Sequence, residues 1–364
     1  MTTTEKVTLL RAKMQENNID AFIVFSADPH MSEYLPKEWQ ERKWISGFNG
    51  SAGFAVFSKE GAGVWTDGRY FVQAAAELKD SGIELMKEGV EGTPDYIDWI
   101  ISQSSKGGKV AVNAIATSNA NWEAISTKLK AAGIELVDLP LLKDIWTDRG
   151  TASTNEVFVH PVERAGKSVA DKIKDIRKKM QEQGATAHVI ASLDDVAWTL
   201  NLRGSDVEAN PVFLGYIYVT LEKATLFVDL AKLTEGAQQQ MKDSGVEVLP
   251  YSEFFAYLQK VQGEKVLISP NTNQSVFDTL STNNTFIKAA VPGNIMKAQK
   301  NEAELAGFRT VMERDGVGMV KFLYWLTHNV GKEPMTEYSI GLKLRGFRQE
   351  LDNCVGASFG STVG

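Results

Sequence analysis

The chain has 364 residues, of which 43% are hydrophobic, 23% charged and 9% aromatic, with a formal net charge of −7. Those proportions exclude disordered, collagen-like and low-complexity classes. An acidic chain without a basic run argues against nucleic acid or an anionic membrane as principal partner, and a single cysteine, Cys354, excludes an intrachain disulfide framework.

In chain order, the opening MTTTEKVTLLRAKMQENN is polar, with Leu9, Leu10, Met14 and Ile19 at near-helical spacing. Asn17-Asn18 is expected to end that helix, since asparagine tolerates left-handed backbone. The segment lacks the apolar core of a signal peptide, and no run approaches the ~18 apolar residues of a spanning helix, so a cytoplasmic location is expected. AFIVFS (Ala21–Ser26) reads as a strand covered on both faces. GFAVFS (Gly53–Ser58) and GVWTDGRYF (Gly63–Phe71) read as strands joined by a short turn, and AAAELKD as a helix. A strand in IELMKEG follows, then a helix in TPDYIDWIISQ with Thr93 as cap and Pro94 at its first position. KVAVN, NANWEAISTKLKAAG and IELVDL complete an α/β alternation as strand, helix and strand. From Asp144 to Gly166 the periodicity fades and a linker is expected.

The opening pattern then returns. LRAKMQENNIDAFIVFSAD (Leu10–Asp28) aligns without gaps against IRKKMQEQGATAHVIASLD (Ile176–Asp194), and WISGFNGS (Trp44–Ser51) parallels WTLNLRGS (Trp198–Ser205). VWTDGR (Val64–Arg69) has a looser echo in LFVDLA (Leu226–Ala231). Two similarly folded α/β units in tandem are expected, on a period far longer than a solenoid repeat. After Pro292-Gly293 the texture becomes helical, with Asn301 and Thr336 as caps.

Chemistry-bearing patterns are sparse. The four histidines, His30, His160, His188 and His328, lack metal-ligand spacing, and HExxH, Walker A and GxGxxG patterns are absent. Gly47, Gly50 and Gly53 point to tight backbone leading into a strand rather than to a phosphate cradle. Arg69, next to Asp67-Gly68, is suited to grip a carboxylate or carbonyl; the alternative is a turn-stabilising pair with Asp67 or Glu33. His30 beside Glu33 could serve acid–base chemistry or simply be hydrogen-bonded in a loop. Asp194, Asp195, Asp206 and Glu208 read as helix caps and an Asp206–Arg203 pair rather than as a metal site. Phe254, Phe255 and Tyr257 read as core.

The motifs HMSEYLP (His30–Pro36), WISGFNGSAGFAVF (Trp44–Phe57), WTDGRYFVQAA (Trp65–Ala75), LDDVAWTLNLRGSDVEANPVF (Leu193–Phe213) and MKAQKNEAELAGFR (Met296–Arg309) span nearly the whole chain. In that order they resemble the cytosolic three-domain Xaa-Pro aminopeptidases (aminopeptidase P) of the creatinase/prolidase superfamily. The resemblance implies creatinase-type N-terminal domains at 1–155 and 156–294, each a mixed sheet flanked by helices, and a pita-bread catalytic domain whose helical start is 295–364. It implies a peptide substrate with proline second and two divalent metals, commonly manganese, neither of which finds its ligands in this chain. Since the sequence ends at Gly364, ahead of the family's metal ligands, catalytic and metal-binding residues are expected to be none, and the chain itself inactive. Arg69 alone matches a family position that contacts substrate; His30 and Tyr34 match motif positions without an assigned role. Monomer and homodimer both remain open, with a neighbouring chain expected to cover Phe322, Leu323, Trp325 and Leu326. A non-catalytic peptide- or protein-binding module is the alternative function.

Overall fold

The computed structural model describes residues 1–361. The first half contains strands β1 (Ala21–Val24), β2 (Phe54–Ser58), β3 (Ala62–Thr66), β4 (Glu84–Lys87), β5 (Lys109–Val112) and β6 (Glu135–Asp138), paired in the order β4-β3-β2-β1-β5-β6. The second half contains β7 (Phe158–Val159), β8 (Ala187–Ile190), β9 (Leu202–Arg203), β10 (Gly215–Thr220), β11 (Ala224–Val228), β12 (Val246–Pro250), β13 (Lys265–Ile268) and β14 (Thr285–Lys288). β7 and β9 form a small ribbon, and the other six pair in the order β12-β11-β10-β8-β13-β14. The central strands behave alike: β1 is antiparallel to β2 and parallel to β5, as β8 is to β10 and β13.

Helices cover both faces of each sheet, which is why the central strands are continuous apolar runs. In β1, Phe22 and Val24 enter one core while Ala21 and Ile23 enter the other. In β8, Ala187 and Val189 face one core and Ile190 the opposite one. His188 occupies the position aligned with Phe22 and is fully buried, donating through Nδ1 to the Leu267 carbonyl at 2.8 Å. Burial pushes its pKa down to about 4, so the ring is neutral and acts as a polar core residue.

The duplication extends to individual polar contacts. Lys6 Nζ donates to the Trp44 carbonyl at 2.7 Å and lies over the Trp44 ring; Lys172 Nζ donates to the Trp198 carbonyl at 2.8 Å and lies over the Trp198 ring. Arg11 Nε reaches the Ser58 carbonyl and Arg177 Nε the Thr220 carbonyl, tying each unit's first helix to the end of its hairpin strand. Each tryptophan-bearing helix ends in a left-handed residue, Gly47 at φ 79° and Asn201 at φ 48°. The weaker echo is also structural, because Asp67 and Asp229 both cap a 3₁₀ turn.

The units meet across a local two-fold relation. Asn119 N donates to the Thr272 carbonyl at 2.9 Å, and Gln274 N donates to the Thr117 carbonyl at 2.8 Å. These are first-turn amides of the equivalent helices Asn119–Ala131 and Gln274–Ser281, which no partner within the helix can satisfy. Each unit thus caps the other.

Several expectations need correction. β3 stops at Thr66 because Asp67 turns the chain, so no strand runs to Phe71. The helix Tyr96–Gln103 is capped by Asp95, not Thr93; the Pro94 carbonyl instead accepts from Trp65 Nε1. The expected linker contains β7 and a short helix, Val162–Ala165. Asp206 pairs with buried Lys232, while Arg203 donates to the Ala197 and Leu202 carbonyls. The last carbonyls of the helix Leu193–Leu200 lack intrahelical donors, so the Ala197 carbonyl is the better target for a guanidinium held on β9. Ser192 holds the N-cap position of that helix; Asp194 and Asp195 lie in its first turn and both pair with Lys297. Phe254 is buried and Phe255 and Tyr257 pack against the same core, as expected.

The helices Glu302–Asn329 and Glu337–Gln349 form an antiparallel pair after the sheets. Asn301 starts the first with a capping box and donates to the Ala165 carbonyl at 2.8 Å. Gly166 permits this approach, since a Cβ there would fall 2.1 Å from Asn301. No helix among the described residues is long and apolar enough to cross a membrane.

Lys172 is 2% exposed and bonds both the Trp198 carbonyl and Asn201 Oδ1. Replacing it by alanine removes both bonds and leaves the buried Asn201 Oδ1 without its donor, so Lys172→Ala is expected to cost about 3 kcal/mol in denaturant unfolding. Lys6→Ala, at the half-buried equivalent site, should cost about 1 kcal/mol. Equal losses would show that the paired contacts are not graded by burial.

Candidate functional site

The sharp turn after β3 places Arg69. Asp67 accepts from the Arg69 amide at 3.0 Å, and the same carboxylate takes Nε at 2.9 Å and Nη2 at 2.8 Å. That two-pronged pair fixes the guanidinium plane. It pulls the Asp67 pKa down to about 2 and raises that of Arg69, chiefly through the hydrogen bonds between them. The expected Arg69–Asp67 alternative is therefore present, and Glu33 is not its partner. The Arg69 side chain remains 69% exposed, packed over the Tyr70 ring at 5.2 Å, and its Nη1 makes no hydrogen bond among the described residues. One donor edge faces solvent.

The support beneath it is stiff. Tyr70 Oη lies 2.5 Å from Ser51 Oγ and its ring meets the Phe48 edge, so the turn leans on the glycine-rich loop at 47–53. Gly50 is required there, since a Cβ would fall 2.3 Å from the Phe48 ring. Gly53, at φ 131°, would set a Cβ 2.6 Å from the Trp65 carbonyl. Ser26 Oγ donates to the Gly53 carbonyl and Thr66 Oγ1 to the Ala52 carbonyl. Arg42 holds the loop from below, through Ser26 Oγ at 2.6 Å, the Phe48 carbonyl at 3.1 Å and the Gly50 carbonyl. Arg42 escaped the sequence reading because its partners are carbonyls, which leave no sequence pattern. Burial lowers its pKa to about 10, so it stays charged.

A cleft of about 550 Å³ opens beside this loop, lined by Phe25, Ser26, Met31, Glu33, Gly53 and Glu88 among others. Glu88 connects it to the Arg69 turn: its amide donates to the Thr66 carbonyl, and burial, helped by Asp67, raises its pKa. His30 and Tyr34 are held away from Arg69. His30 is buried against the second unit, and Tyr34 packs on the second unit's core. Among the described residues, no three His, Cys, Asp or Glu side chains converge to hold a metal.

Both units match the creatinase/prolidase N-terminal domain, the first over residues 6–144 and the second over residues 148–304. The chain is an α/β protein of the creatinase/prolidase family, carrying two such domains. Over nearly its whole length it is similar to Xaa-Pro aminopeptidases. Xaa-Pro aminopeptidase 1 of Dictyostelium discoideum is 36% identical over 98% of the chain, and Drosophila melanogaster Xaa-Pro aminopeptidase ApepP 37% identical over 96%. The chain spans 59% of each relative's length. The crystal structure of X-prolyl aminopeptidase from Caenorhabditis elegans, described as a cytosolic enzyme with a di-nuclear active site, superposes with TM-score 0.93 at 30% identity. That match covers 99% of this chain and 62% of the nematode one.

Gly53→Ala adds both a clash and a strained backbone, so it should destabilise the first unit by about 2–3 kcal/mol in thermal or denaturant unfolding. Arg69→Ala, at an exposed side chain, should leave the melting temperature unchanged. A marked fall in melting temperature for Arg69→Ala would assign that residue to folding rather than to binding.

Proposed function

We propose that this polypeptide is the substrate-presenting part of a metal-dependent aminopeptidase that removes the N-terminal residue from peptides with proline second. The observation that carries this reading is Arg69, exposed on a rigid turn with one edge held by Asp67 and the other free. The free edge can donate to a peptide carbonyl or carboxylate without reorganising, which favours orientation over mere attraction. Similarity to Xaa-Pro aminopeptidases over nearly the whole chain supports the proposed substrate class, and the nematode relative's description as a cytosolic enzyme supports a cytoplasmic location.

The same reading divides the chain into domains at 1–155 and 156–294, with 295–364 as the helical start of a pita-bread domain. In the whole enzyme two divalent metals, manganese in this proposal, would activate water for attack on the scissile carbonyl. The described residues do not fit that centre, because no ligand group converges among them. Their contribution is binding and orientation, and no bond-breaking step is assigned to them. The lack of a ligand group also favours a second reading, a peptide-binding module without chemistry, which would use Arg69 in the same way.

Residue 322 corrects the expected apolar face: Phe322 is buried, Trp325 and Leu326 are half-buried, and Leu323 is exposed. With Phe308, Val311, Met312, Val320 and Tyr324 also exposed, this helix is proposed to pack in a larger assembly, a homodimer being one form.

Incubating the 364-residue chain with an Xaa-Pro peptide and Mn²⁺ should release no N-terminal residue. Titration calorimetry should instead register binding of that peptide, weakened about tenfold by Arg69→Ala. Turnover would overturn the presenting role, and equal binding by the variant would remove Arg69 from it.

A further inference from the structure

The segment from Asp28 to Pro36 belongs to the first unit in sequence but inserts into the second. His30 is 3% exposed; its Nδ1 lies 2.7 Å from the Ala191 carbonyl and its Nε2 2.9 Å from Tyr251 Oη. Since a carbonyl only accepts, Nδ1 carries the hydrogen and Nε2 accepts from the tyrosine. The imidazole packs on the Tyr216 ring at a centroid distance of 4.3 Å. The preceding residue is gripped as well, the Pro29 carbonyl accepting from Tyr216 Oη at 3.1 Å and Asn273 Nδ2 at 2.6 Å. Asp28 shapes the turn, its Oδ1 taking the amides of His30 and Ser32. Asn273 also caps the helix at the two-fold seam, so plug and seam share a residue.

We propose that Asp28–Pro36 is a clasp between the two units, with His30 as the positioning residue that fixes the first unit, and hence Arg69, against the second. For Arg69 this rests on the substrate-binding reading; the interlock does not.

The clasp is built for a neutral ring. Protonation would put a second N–H on Nε2, facing a hydroxyl that already donates to it, and would place a cation in a site closed to water. Burial accordingly lowers the His30 pKa, against an opposing pull from Asp28 and Asp206. The other ionisable groups around it are few. Glu38 lies just beyond the segment and its pKa is raised by burial, Asp206 is paired with Lys232, and the Tyr216 and Tyr251 hydroxyls are pushed upward by burial and stay neutral. Ala191 and Asn273 bring no charge. A histidine whose folded pKa is depressed stabilises above its unfolded value of about 6.5, and that contribution is lost as pH falls below it. The clasp should loosen on acidification. His160 and His188, both lowered to about 4, titrate inside the second unit and do not span the seam.

Paired spin labels at Lys79→Cys and Lys242→Cys, in a Cys354→Ser background, report the inter-unit distance by double electron–electron resonance. Wild-type His30 should give one narrow distance at about pH 8 and lose it at about pH 5, on either side of the ordinary histidine value. His30→Phe keeps a ring but no hydrogen bonds, and should lack the narrow distance at both pH values. His30→Asn, which restores a donor toward Ala191 and cannot gain a proton, should keep it at both, and carries the test if the phenylalanine variant does not fold. A narrow distance in His30→Phe at about pH 8, or acid broadening in His30→Asn equal to wild type, overturns the clasp. Peptide affinity measured on the same variants separates the two ideas: a clasp that responds as expected while no variant, Arg69→Ala included, changes affinity sinks the substrate reading alone.

Discussion

Two first-turn helix amides, Asn119 N and Gln274 N, find carbonyl partners only across the seam between the units. A buried amide without a partner carries a penalty of about 1–3 kcal/mol, so separating the units means either exposing both to water or losing both bonds. The rest of the arrangement hangs on this exchange. Together with the Asp28–Pro36 segment seated on the second unit, it holds the two sheets in a fixed relation. The symmetry follows from the duplication, because equivalent helices present equivalent unsatisfied groups and meet as two like surfaces do in a symmetric dimer.

The two copies have diverged where their burial diverged. Lys6 is half-buried and Lys172 wholly so, yet both clasp the backbone of an equivalent tryptophan. Phe22 became His188 in the second core, tolerated because Nδ1 finds a carbonyl and the ring stays neutral. At the turn after the hairpin, Asp67 and Asp229 do the same capping, but Arg69 stands where the second unit has Ala231. The cap is common to both copies, whereas the free guanidinium edge belongs to the first alone.

What could be read from residues alone follows from what leaves a periodic trace. The gapless alignment of Leu10–Asp28 with Ile176–Asp194 located both central strands and the helices before them, since apolar periodicity and repeated lysine and arginine positions survive in sequence. Asn301 and Thr336 declared their helices through side chains that cap. β14 and the helix Gln274–Ser281 were missed, one a half-buried edge strand and the other only eight residues long within a polar stretch rich in asparagine, serine and threonine. Of the candidate site, the Arg69–Asp67 pair was legible. The seam, the socket of His30 and the carbonyl-gripping role of Arg42 were not, because each depends on backbone groups brought together by folding.

The central claim is that the two domains form one body through the exchanged helix caps. Hydrogen–deuterium exchange at the amides of Asn119 and Gln274 tests it directly. If the seam is closed, these first-turn amides, ordinarily open to solvent, should be protected to the same degree as those of β1 and β8. Exchange as fast as at an uncapped, exposed helix start would contradict it.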